Sequence, residues 1–206
     1  SVSIWIKNEI TSGTDYVFNS RAGGGTTNGI TLIQTTTSGY IINNSNGCKI
    51  ATGYLSALRI PNDGQWHHIA WTAFLASQRL KVYIDGVFIY DFVVATTVDT
   101  LPSTDITVGA TSSPWTGKLS NFQIWDDVVL SDGGVALNDP ATGQIAELYN
   151  NGVPLESASV ATANLKAWYK LDGSNKSVYN STADYWTIEQ AEITPTYTEG
   201  LFFGGG

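Results

Sequence analysis

The chain has 206 residues, 42% hydrophobic, 12% aromatic and 14% charged, a size and balance that suit one large β domain. Its net charge of −8 and isoelectric point of about 4.5, without a basic stripe anywhere, argue against a nucleic-acid surface. The longest apolar runs are strand-length, which argues against a membrane-spanning helix.

Val2, Ile4 and Ile6 alternate with Ser3, Trp5 and Lys7, the pattern of a half-buried strand. Tyr16–Arg21 is a second strand, broken by Gly23-Gly24-Gly25. Ile30–Gln34 and Tyr40–Asn43 predict a hairpin around residues 35–39. Residues 43–53 are polar and turn-rich, Leu55–Ile60 restores an apolar strand, and Pro61-Asn62-Asp63-Gly64 is a turn. Cys48 lies in that polar stretch. As the one cysteine it forms no intrachain disulfide, and it reads as a passive thiol.

The firmest register follows. Trp66–Leu75 and Arg79–Ile84 are predicted strands joined by residues 76–78, and Asp85-Gly86 then closes a two-residue hairpin into Val87–Val94. An Asp-Gly pair favours a type I′ turn because both central positions need positive φ. The pairing that results sets Ile84 against Val87, Tyr83 against Phe88, Val82 against Ile89 and Lys81 against Tyr90. Leu80, Val82, Ile84, Val87 and Ile89 then face the core, and Arg79, Lys81, Tyr83, Phe88, Tyr90 and Phe92 face outward. Four aromatics and two cations exceed what solubility needs, so this face is expected to be covered. A glycan, a neighbouring subunit and another segment of the chain are the alternatives.

Beyond a loop over residues 95–104, Ile106–Ala110 is a short strand, and Thr111–Thr116 is a loop carrying Pro114 and Trp115. Lys118–Asp127 is a strand with Ser120, Phe122 and Ile124 on one face. In Ala141–Asn150 the spacing of Ile145, Leu148 and Tyr149 turns helical, with Asp139 as N-cap, Pro140 at the first position and Asn151-Gly152 as the stop. Leu165–Leu171 alternates cleanly, with Leu165, Ala167, Tyr169 and Leu171 against Lys166, Trp168 and Lys170. Tyr185–Ile188 and Tyr197–Phe203 are terminal strand candidates. Short strands separated by turns predict an all-β, two-sheet antiparallel sandwich of roughly twelve strands with one short helix. The chain contains no Met, opens in a strand without a signal-peptide pattern and ends in three glycines, so it is expected to be part of a longer polypeptide.

The runs DGQWHHIAWT (residues 63–72) and LKVYIDGV (residues 80–87) resemble the laminin-G-like jelly roll of the concanavalin-A-like lectin/glucanase superfamily. SVSIWIK, the stretch from ITVGA to PWTGKLSNFQIWDDVVLS, and GQIAELYNNG are similar to its early strand, its late strand pair and its short helix. The resemblance runs from Val2 to Leu171 and implies two sheets packed face to face; with the size of the chain, the expectation is one domain over residues 1–206 in which residues 172–206 form a C-terminal extension. It implies binding of carbohydrate, proteoglycan or protein, and LKAWYKLDGSN with STADYWTIEQA resembles phage virion proteins. Fold alone does not fix function.

Catalytic readings find little. A glycosidase needs two carboxyls about 5 Å apart, or wider for inversion, and no E-x-D-x-E strand run is present. Glu189 and Glu192, like Asp126 and Asp127, diverge on a strand. His67 and His68 point to opposite faces and cannot chelate one ion, so one is expected near the core and one outside. No metal site is assigned. Calcium ligands could come from Asp126, Asp127, Asp132, Asn138 and Asp139, but these match no loop motif and read as solvated turn residues. Trp5, Trp66, Trp71 and Trp125 read as structural, whereas Trp115, in a loop, reads as a stacking residue or a lid on the sandwich edge. The expected ligand or interface residues are therefore Tyr83, Phe88, Tyr90, Arg79, Lys81 and Trp115, with no catalytic residue. The leading expectation is a non-catalytic recognition or assembly module on a virion surface, a capsid decoration or fibre domain. It would contact other subunits, glycans or copies of itself. The alternative is an extracellular lectin-like adhesion module.

Overall fold

The structure is a computed structural model that describes residues 1–19, 29–45, 48–50, 56–74, 79–93, 107–108 and 115–171. Among these lie strands β1 (Val2–Asn8), β2 (Thr14–Asn19), β3 (Gly29–Thr35), β4 (Gly39–Ser45), β5 (Cys48–Ile50) and β6 (His67–Phe74). They continue with β7 (Arg79–Ile84), β8 (Val87–Val93), β9 (Thr107–Val108), β10 (Gly117–Trp125), helix α1 (Gly143–Tyr149) and β11 (Leu165–Tyr169). One sheet runs β11-β10-β1-β6-β7-β8 and the other β5-β4-β3-β2-β9. Every strand pairing in them is antiparallel. The expected sandwich, with one short helix, is the observed fold.

Alternation drives the packing. Ile4 and Ile6 of β1, Ile69 and Trp71 of β6, Leu80 and Val82 of β7, and Val17 and Leu32 of the second sheet meet between the layers. Each such side chain contributes about 1.5–3 kcal/mol on full burial. The larger sheet carries a second buried cluster on its other face. Ala70, Tyr83, Phe88, Trp125, Leu165 and Trp168 pack there against Leu130, Ala141, Ile145, Leu148 and Val160. Of the alternatives for covering the outer face, the chain supplies its own segment. Trp125 anchors it, donating its indole N–H to the Val160 carbonyl at 2.9 Å.

Three register shifts reassign faces that strict alternation predicts. In the hairpin, Tyr83 pairs with Phe88 but Val82 pairs with Tyr90, so Ile89 is the extra residue. Beyond it the faces of residues 90–92 are exchanged. Tyr90 and Phe92 turn to the core between the sheets, against expectation, and Asp91 moves opposite Lys81 on the outer face. In β10 the extra residue is Asn121, held at φ 48°. Leu119, and not Ser120, therefore shares the inner face with Phe122 and Ile124. A third shift, at Lys166, sets Leu165 on the same side as Trp168.

Other expectations also change. Residues 56–58 form one 3-10 turn in place of a strand. Their backbone is served by a side chain: Gln34 Nε2 donates to the Leu58 carbonyl at 3.1 Å, and the Ile60 N–H donates to Gln34 Oε1 at 2.9 Å. Strand β5 lies where only turns were expected. The helix begins three residues later than the Asp139-Pro140 signal suggests, with Thr142 as N-cap. Asp139 and its neighbours are used elsewhere. The Phe88 N–H donates to the Asp139 carbonyl at 3.0 Å and the Asn138 N–H to the Phe88 carbonyl at 2.7 Å, covering the free edge of β8. The terminal strand candidates at residues 185–188 and 197–203, and residues 20–28, lie outside the described residues.

Candidate functional site

Beside the covering segment the outer face of the larger sheet holds a cleft of about 200 Å³ lined by Thr72, Arg79, Lys81, Tyr83 and residues 129–132. Strand period places Arg79, Lys81 and Tyr83 on one face of β7, and the β6–β7 register sets Thr72 beside Lys81. The opposite wall is Val129, Leu130, Ser131 and Asp132. Asp132 is fixed by its turn: its Oδ1 accepts from the Gly134 N–H at 2.9 Å, with Gly133 at φ 78° between them. A Cβ on Gly133 would overlap the Thr142 hydroxyl, so glycine is required there.

Asp132 is only 7% exposed. Lys81 Nζ and the Tyr83 hydroxyl both donate to its Oδ2 at 2.7 Å. Burial alone would raise its pKa, but the hydrogen bonds from Lys81, the Gly134 amide and Tyr83 outweigh it and hold the carboxyl below its usual range. Tyr83 is driven the other way, by burial first and by Asp132 second. Asp132 therefore accepts and Tyr83 donates, with fixed roles that suit binding better than proton transfer. Lys81 also sits 4.9 Å from the Phe88 ring centre. Arg79 pairs with Asp91 through both oxygens, Nε donating to Oδ1 at 2.9 Å.

Of the residues expected at a contact surface, Arg79, Lys81 and Tyr83 line this cleft. Phe88 lies buried beneath the covering segment, and Tyr90 lies against the intersheet core. Trp115, 6% exposed, belongs to that core and is no open stacking platform, whereas Trp66, expected to be structural, is 40% exposed. Asp132 was expected as a solvated turn residue and is instead a buried partner of β7. Thr72 reads in the sequence only as a residue of the neighbouring strand, and Ser131 carries no signal because nothing local links it to a strand so far away in the chain. Among the described residues, no three His, Cys, Asp or Glu side chains converge as a metal site.

The paired histidines face opposite ways, but both are buried, against the expectation of one outside. His67 Nδ1 faces Asp85 Oδ2 at 2.7 Å and its Nε2 faces Asp63 Oδ1 at 3.1 Å, so both bonds form when the ring carries both protons. Burial lowers its pKa, but the two carboxylates outweigh burial and the net shift is upward. Asp85 also accepts from the His68 amide at 2.8 Å, which ties this cluster to the Asp85-Gly86 turn. His68 lies beside Trp5 and Tyr149, at ring distances of 5.2 and 6.2 Å, in a cluster where those two rings stack at 6.1 Å, and its Nε2 is 2.7 Å from the Ser3 hydroxyl. Burial drops its pKa to about 3.

Two sheets closed over an intersheet core, with strands in this order, agree with a family model that matches residues 1–136, about two thirds of the chain. The chain belongs to the concanavalin A-like lectin/glucanases superfamily. The match is to a laminin G-type member of that superfamily and ends just past the Val129–Asp132 wall. Among solved structures, this superfamily member is similar to a native heptameric SAP-like pentraxin from Limulus polyphemus. The two are 20% identical with a TM-score of 0.39, over 62% of this chain and 64% of that one. It is also similar to domain 4 of the GH43 extracellular arabinanase AbnA from Geobacillus stearothermophilus, in complex with arabinotriose. There the identity is 19% and the TM-score 0.35, over 56% and 52% of the two chains. A Bacteroides ovatus protein named for carbohydrate binding is 16% identical with a TM-score of 0.42, over 84% of this chain and 52% of its own. The matched part thus spans about half to just under two thirds of these structures. No curated protein matches the chain.

Proposed function

We propose that the chain is a non-catalytic carbohydrate-binding module. The observation that carries this reading is membership of a lectin and glucanase superfamily over residues 1–136. It is joined by an outer-face cleft whose carboxylate and phenol are locked as acceptor and donor. A glycan array probed with the whole chain, once with calcium and once with chelator, is expected to retain glycans. A folded chain that retains none in either condition overturns the reading. Display on a virion surface rests on the resemblance of residues 165–175 and 181–191 alone, and extracellular display is the alternative. Contacts with neighbouring subunits or with further copies of the chain belong to the same proposal, and native mass measurement tests them.

A further inference from the structure

We infer that the cleft between β7 and residues 129–132 takes a single neutral, hydroxyl-rich ring, the terminal residue of a glycan, and rejects acidic sugars. This rests on the carbohydrate-binding reading and adds to it a place and a ligand class.

Charge is the first argument. The two cations at the cleft are already balanced, Arg79 by Asp91 and Lys81 by Asp132 at 2.7 Å. An incoming carboxylate or sulfate would lose hydration and meet a carboxylate beside each cation, on a chain whose net charge is −8. A sugar hydroxyl both donates and accepts, so it matches a neutral pair on both sides.

Unused capacity is the second argument. A carboxylate offers about four lone-pair sites. Among the described residues Asp132 Oδ1 has one partner, the Gly134 amide, so it keeps room for a hydroxyl donor. Lys81 commits one ammonium proton to Asp132, and Arg79 commits Nε and one terminal nitrogen to Asp91. Donors therefore remain on both side chains. Shape is the third. Val129, 40% exposed, and the apolar stems of Arg79 and Lys81 present hydrocarbon to the C–H face of a ring. A volume of about 200 Å³ lies below the roughly 300 Å³ at which drug-sized pockets begin, so it suits one ring and not a run of them.

The test uses the whole chain with methyl glycosides of glucose, galactose, mannose and arabinose, and with glucuronate and galactose 6-sulfate as anionic counterparts. Binding is followed by saturation-transfer NMR and titration. At least one neutral glycoside is expected to bind, and Arg79→Ala and Val129→Tyr are each expected to weaken it by about tenfold or more. Two variants are used because one removes a donor and the other fills the space, with Tm confirming that each folds. Neutral sugars bound equally well by both variants would place the site elsewhere and overturn this inference while the module reading stands. Tighter binding of the anionic sugars would overturn the charge argument, and binding of oligosaccharides without single rings would overturn the one-ring claim. Loss of every glycan on the array as well as every glycoside would remove both readings together.

Discussion

His68 predicts an acid sensitivity that can be isolated from every other group. In the folded chain its ring is fully buried beside Trp5 and Tyr149, and its pKa falls to about 3 from an ordinary 6.5. Between those values the unfolded chain holds a proton that the folded chain refuses, so stability falls as pH drops. At pH 5 the medium lies about 1.5 units below the ordinary value, and each unit is worth about 1.36 kcal/mol. Going from pH 7.5 to 5 should therefore cost about 2 kcal/mol through this residue alone. The perturbation is His68→Asn, which keeps a polar atom near the Ser3 hydroxyl but cannot take up the proton. Urea unfolding of parent and variant at both pH values gives the two slopes. His67 and the carboxylates are common to both proteins and cancel in the difference. The variant should start less stable yet lose about 2 kcal/mol less on acidification. Equal slopes would mean that the ring is charged or solvated in the folded state, and the reasoning would be wrong.

His67 should behave with the opposite sign. Its folded pKa is raised, so its contribution is fully present below the ordinary 6.5 and is lost as pH rises through the folded value. The stability gap between parent and His67→Gln should narrow as pH climbs above that range, and a constant gap would show that the carboxylates do not hold the ring protonated. Gly86→Ala should destabilise by about 1–3 kcal/mol in chemical unfolding, because φ is 74° and the new Cβ would stand 2.7 Å from Tyr149 Cδ1. Tyr83→Phe leaves Asp132 one donor short and should lower stability by about 1–2 kcal/mol, while Lys81 still holds the carboxylate.

What was legible in the sequence was whatever a local rule decides. Asp85-Gly86 fixed the hairpin because two adjacent residues must both take positive φ, and Asp85 at 50° and Gly86 at 74° do so. Counting outward from that turn placed Tyr83 and Phe88 correctly and then failed at Ile89, since an inserted residue leaves no mark on a period of two. The apolar run at residues 55–60 carries a strand signal, and Leu58 and Ile60 are indeed core residues, but backbone groups of both bond to the Gln34 side chain. At the cleft, Arg79, Lys81 and Tyr83 were legible as one face of a strand. Their partner was not: Asp132 lies 51 positions from Lys81, and burial of a turn carboxylate is decided by what folds over it.

Strand β1 is inserted between β6 and β10, so among the described strands of this sandwich the first made has a neighbour made much later. Ser1 and Trp125, which bond through both backbones, are 124 positions apart. At about 5–20 residues per second, synthesis leaves one side of β1 without its partner for roughly 6–25 s. During that interval a strand with Val2, Ile4 and Ile6 on one face keeps an open hydrogen-bonding edge, the kind of surface that recruits other chains. The time at which this sandwich can first close is therefore set by the ribosome, and a nascent chain halted before β10 is the form most in need of a chaperone.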